Sequence, residues 1–167
     1  MSHFTLKPLS KAAVPSALQK AERYRLLNEP AQAESICRDV LAVDPENHDA
    51  LHALLLSLTD QFGARADVVR EAKALLKQLP TDYERAYFEG VIHERSGLAE
   101  LDTNRPGSHY TAYEALRLAM TCFERAEALK PAGNDDAILR WNTCARTLMR
   151  DASLKPRPEE TWDETVD

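Results

Sequence analysis

The chain has 167 residues, 44% hydrophobic and 29% charged, which suits one globular domain with a sizeable core. Its formal net charge is −6, but Asp151 to Asp167 holds six acids and two bases, leaving −2 for residues 1–150. Nothing basic enough to neutralise phosphates is present, so no nucleic-acid partner is expected. No apolar run reaches about 18 residues and the start lacks a signal-like apolar core, so membrane insertion and secretion are not expected either.

Nearly everything between Ser16 and Asp151 reads as helix, rich in Ala, Leu, Glu and Arg and without alternating β-branched runs. Residues 1–15 carry two prolines and no period, and are expected to form a flexible lead. Ser16 with Gln19 suits a cap for a first helix over about 16–28. "NEP" at 28–30 then turns the chain, with Pro30 in the next first turn. The second helix carries Ala33, Ile36, Cys37, Val40 and Leu41 as an apolar stripe and stops at Asp44-Pro45. Asn47 caps a third helix to about residue 61, apolar on several sides through Leu51, Leu54, Leu55, Leu56 and Leu58. Phe62-Gly63 turns into a fourth helix running through Leu79.

Thr81 with Glu84 forms a capping box for a fifth helix ending near Ser96, where Gly97 suits a left-handed stop. Residues 97–110, "GLAELDTNRPGSHY", read as an inserted loop centred on Pro106-Gly107. Thr111 with Glu114 repeats the box before a sixth helix to Leu129. Asn134 caps a seventh helix to about Arg150, with Ile138, Leu139, Trp141, Leu148 and Met149 as its sealing face. Residues 152–167 are acidic, proline-interrupted and expected to be disordered, with Trp162 as an isolated aromatic.

The proline stops act as a ruler. Pro45 to Pro80 spans 35 residues and Pro80 to Pro131 spans 51. A period near 34 fits stacked helical hairpins, the longer interval being one period plus about 17 residues. With Ala21, Tyr24, Ala33 and Pro45 in the first unit, and Gly90, Ala119, Phe123, Ala126 and Pro131 in the third, the pattern resembles the tetratricopeptide repeat family. The second unit departs from it: Leu55 stands where a small residue is usual, and one extra residue precedes Pro80. The resemblance covers about residues 14–150. It implies an all-α, right-handed superhelical stack of about seven helices over residues 16–151, with three repeats and a C-terminal capping helix.

The same resemblance implies a concave groove lined by the first helix of each pair. Carried over, its positions are Leu18, Glu22, Arg25, His52, Leu56, Tyr87, Val91, Glu94, Arg95, Asn142 and Arg146. The basic clamp that some members close on acidic chaperone tails is not reproduced, since Leu18 and Glu22 occupy first-unit positions. The expected occupant is a peptide or helix of another protein. A small secretion-type chaperone and a self-associating structural subunit, a homo-oligomer, are the other two readings.

Catalytic patterns are lacking. There is no phosphate-binding loop and no nucleophile elbow, and the five glycines do not cluster. His48 and His52 have metal-ligand spacing on one helix, but no third ligand is evident beside them. His93 lacks a second His four places on. No cofactor, metal or enzymatic activity is therefore expected. Cys37, Cys122 and Cys144 form no close pair and are expected as buried free thiols in a cytoplasmic setting.

Overall fold

The computed structural model describes residues 4–158 and contains seven α-helices, with no strand among those residues. They are α1 (Val14–Leu26), α2 (Pro30–Val43), α3 (His48–Thr59), α4 (Asp67–Leu75), α5 (Asp82–Asp102), α6 (Ser108–Leu129) and α7 (Asp136–Arg150). Single 3₁₀ turns at Lys11–Ala13 and Leu76–Gln78 flank α1 and extend α4. No helix is long and apolar enough to cross a membrane.

Several ends follow from local chemistry. Pro30 opens α2. Asn28 accepts a left-handed φ of 59° in the α1–α2 turn, a conformation that asparagine tolerates better than most residues. Asn47 caps α3 by accepting from the Ala50 amide at 2.9 Å. Thr81 and Glu84 form a reciprocal capping box on α5. Asn134 accepts from the Asp136 amide at 3.0 Å where α7 begins.

Other ends differ from the sequence reading. Ser16 is not a cap, because α1 starts at Val14 and the Ser16 hydroxyl donates to the Ala13 carbonyl. α4 starts only at Asp67, after the turns that follow Phe62. α5 runs straight through Gly97 to Asp102, and α6 already begins at Ser108. The 97–110 loop thus shrinks to residues 103–107, closed by Gly107 at φ 81°. Thr111 caps nothing; it lies inside α6 and its hydroxyl reaches back to the Gly107 carbonyl. Gly97 is there for space. A Cβ on it would lie 3.1 Å from that of Ala115 and 3.2 Å from the Ala112 carbonyl oxygen.

Each helix packs chiefly on its chain neighbours, and α1, α3 and α5 also touch in succession. The core has three parts. One centres on Leu51, Leu54, Leu55 and Leu58 of α3. A second centres on Leu116, Ala119, Met120 and Phe123 of α6. A small third joins Val14 and Ala17 to Val40 and Ala50, with Leu9 against it, so the chain is already anchored at the end of the presumed lead. Close approaches use small residues: Ala21, Ala33, Ala119 and Ala126 are fully buried. Gly90 faces Phe123 so closely that a Cβ would meet its ring at 2.5 Å.

The two ends of the expected tail separate. Leu154 is 6% exposed and joins the second core cluster, and Arg157 lies over the Tyr110 ring. Leu154 and Arg157 therefore touch the body, within the stretch that the sequence reading had as a disordered tail. Residues 159–167, Trp162 included, lie outside the described residues. On α7 the sealing face also shifts. Ala137 and Cys144 are buried and Trp141 and Leu148 pack partly, whereas Leu139 and Met149 are 63% and 77% exposed.

Candidate functional site

Three depressions run together along the side formed by α1, α3 and α5. The first, about 410 Å³, is lined by Arg25, Asp60, Phe62, Arg95, Leu98 and Asp102. The second, about 530 Å³, lies between α1 and α3 and is lined by Leu18, Glu22, Arg25, Asp49 and Leu56. The third, about 940 Å³, is lined by His48, His52, Leu56, Tyr83, Tyr87, Phe88, Leu129 and Asp136. Arg25 borders the first two and Leu56 the second and third, so the three adjoin one another as one grooved surface.

The floor of the largest depression is aromatic. Tyr83 and Tyr87 stack with ring centroids 6.0 Å apart, Tyr87 meets Phe88 edge-on at 5.2 Å, and Phe88 lies 4.9 Å from the His52 ring. This run arises because Tyr83 lies about one turn before the adjacent pair Tyr87 and Phe88 on α5, so the three share one side of the helix. Burial raises the Tyr83 phenol above its ordinary pKa, with the Asp136 charge adding to it.

Ion pairs decide which charges are free. Arg25 Nε donates to Asp60 Oδ2 at 2.9 Å, and Arg95 points a guanidinium nitrogen at the same carboxylate from 3.9 Å. His52 Nε2 pairs with Glu84 Oε1 at 2.9 Å. Burial pushes the Glu84 carboxyl up, but the Thr81 hydrogen bonds and the His52 charge outweigh it and hold the group below the usual range. Asp82 holds Arg85. Glu22, Asp49, Asp102 and Asp136 line the groove without an ion pair among the described residues. The lining therefore combines an aromatic floor with an excess of free acids.

Of the residues carried over from the repeat pattern, Leu18, Glu22, Arg25, His52, Leu56, Tyr87 and Arg95 line the groove. Val91 does not, because it is fully buried in the second core cluster. Glu94 does not line it either. It is 5% exposed and accepts from Arg140 Nη1 at 2.6 Å, while Arg140 Nε donates to the Tyr87 hydroxyl at 3.1 Å. That buried cluster locks α7 onto α5. Asn142 and Arg146 of α7 line none of the three depressions. His48 and His52 share the third depression but gather no third metal-ligating side chain among the described residues.

The carried-over set missed Tyr83, Phe88, Asp49 and Asp136. Asp136 lies at the very start of α7, ahead of Asn142 and Arg146, the positions of that helix that the frame named. Tyr83 and Phe88 could have been found from the aromatic spacing of "DYERAYFE" alone. No protein-family model matches the chain, and neither a curated protein nor a solved structure is significantly similar to it.

Proposed function

We propose that the chain is a non-catalytic protein-interaction module of the tetratricopeptide type, its helices stacked as a right-handed superhelix of hairpins. Its occupant is an extended or helical segment that carries an apolar anchor and Lys or Arg side chains. The pairing of α1 with α2 and α5 with α6, the succession of α1, α3 and α5, and the small residues at the close approaches support the stack.

One observation carries the choice of occupant: the cations in the groove lining, Arg25 and Arg95, both face Asp60, while Glu22, Asp49, Asp102 and Asp136 are free. An aromatic floor supplies affinity for an apolar side chain, and free carboxylates select positive partners and fix register. The chain's own residues 159–167 hold five acids and no base, so their charge is wrong for this groove.

Selection from a random peptide library tests the reading. Enriched peptides should pair an aromatic or aliphatic residue with Lys or Arg. Asp136→Lys should weaken a selected peptide about fivefold, the equivalent of about 1 kcal/mol. Tyr83→Ala should cost about 2 kcal/mol, more than tenfold. Glu114→Lys, an exposed α6 position away from the groove, should leave affinity unchanged. Enrichment of acidic peptides would reverse the proposed charge logic.

A further inference from the structure

Away from the groove, Glu89, His93 and Cys122 converge on the α5–α6 seam. Glu89 and His93 are four residues apart on α5 and so share a face, and Cys122 meets them from α6. A carboxylate oxygen, an imidazole nitrogen and Sγ lie within 4.8 Å of one another. Tetrahedral zinc with bonds of about 2.0–2.3 Å spaces its ligands about 3.5 Å apart. Small side-chain rotations close that difference.

The donors are suited to a cation. Burial holds the His93 imidazole below its ordinary pKa, so it is neutral at pH 7 with a lone pair to give. Glu89 accepts from Arg125 through Oε2, which orients the carboxylate and leaves its second oxygen. Burial pushes the Cys122 thiol up to about 11, so in the free protein it keeps its proton. Lys73 lies near enough to disfavour positive charge at His93, while the Glu89 carboxylate favours it, and Arg125 faces Glu89. A carboxylate and a thiolate together supply two negative charges against Lys73 and Arg125.

We propose that Glu89, His93 and Cys122 form a binding site for a thiophilic divalent cation, zinc(II) in particular, with the fourth tetrahedral position open to solvent. A mixed sulfur, nitrogen and single-oxygen donor set does not suit calcium or magnesium, which take mostly oxygen. On binding, the Cys122 S–H bond breaks, an S–metal bond forms, and the proton leaves to buffer. No electron is transferred. Bound there, the ion would clamp the two longest helices across their seam.

Cobalt(II), added alone to the purified full chain, reads the site directly. A thiolate-to-cobalt charge-transfer band should appear in the near ultraviolet, with intense visible bands of tetrahedral cobalt, and excess zinc should abolish both. Cys122→Ser should remove the charge-transfer band. Cys37→Ser and Cys144→Ser should keep it, because those thiols are fully buried elsewhere. His93→Gln should weaken cobalt binding at least about tenfold. Helical circular dichroism checks folding, and Cys122→Ala replaces the serine variant if that one fails to fold. Absence of the band in wild type at millimolar cobalt, its survival in folded Cys122→Ser, or unchanged affinity in His93→Gln would overturn the proposal.

Discussion

Gly90 and Phe123 make a close approach between α5 and α6. The Phe123 ring is fully buried and three of its atoms lie within 3.0 Å of where a Gly90 Cβ would stand. Two effects oppose each other in Gly90→Ala. Helix propensity gains about 1 kcal/mol, and overpacking costs about 1–3 kcal/mol. The boxed ring makes the second effect win, so the variant should lose about 1 kcal/mol in urea unfolding. Adding Phe123→Leu should return part of the loss that Gly90→Ala causes in its presence. A raised midpoint in Gly90→Ala would mean the approach is looser than described.

Leu154 poses the converse test, because the residues around it look like a polar tail. Its side chain is buried against the second core cluster. Leu154→Ala should cost about 2–3 kcal/mol, the low end for a buried leucine near a chain end. A loss under about 0.5 kcal/mol would place it with ordinary surface positions. Sequence periodicity could not reveal this contact, since a single apolar residue in an extended segment has no period.

At the scale of elements, a buried carboxylate ties α2 to its neighbours. Glu34 is 7% exposed; one oxygen accepts from Arg38, and the other accepts from Gln61 at 2.7 Å and Arg65 at 2.9 Å. Arg38 reaches on to Glu71 of α4, and Arg65 to Asp67 at its start. Burial alone would raise the Glu34 pKa, but these hydrogen bonds and charges outweigh it and hold the group below 4.5. A carboxyl depressed in the folded state stabilises above its unfolded pKa and stops doing so as pH falls through the folded value. Glu84 acts in the same sense. Stability should therefore drop as pH falls below about 4.5. Glu34→Gln should cost about 1–2 kcal/mol at pH 7 and flatten that acid slope. An unchanged slope in urea midpoint against pH would assign the acid loss to other groups.

Element ends show what was readable and what was not. Asn47, Pro30 and the Thr81–Glu84 box announce helix starts through local chemistry, and each works as read. Gly97 was read as a stop because glycine relaxes backbone strain, yet it serves a close helix approach. Nothing local distinguishes those two uses of glycine. The partner residue, Ala115, lies on the far side of the 103–107 turn. Val91 and Glu94 failed as groove positions for a related reason. α5 is covered by α6 and tied to α7, so fewer of its faces are open than a repeat pattern implies.

Across the whole molecule, the groove joins residues from α1, α3, α5 and α7 with charges sorted by pairing. The apolar positions Leu18, Leu56 and Tyr87 were implied by the repeat resemblance. The sign of the free charge was not, because it depends on Asp60 neutralising Arg25 from another helix. Arg38 illustrates the same point on the opposite side. It looks like a plain surface cation but bridges two glutamates, so replacing it alters stability as well as charge.

The most direct test of the groove is chemical-shift mapping of a selected basic-apolar peptide on isotope-labelled full chain. The account predicts shifts at Leu18, Asp49, Leu56, Tyr83, Tyr87 and Asp136, weakened as salt rises because free surface carboxylates contribute. Saturable shifts confined to the exposed sides of α2, α4 and α6, with the Leu56 and Tyr83 signals unmoved, would contradict it.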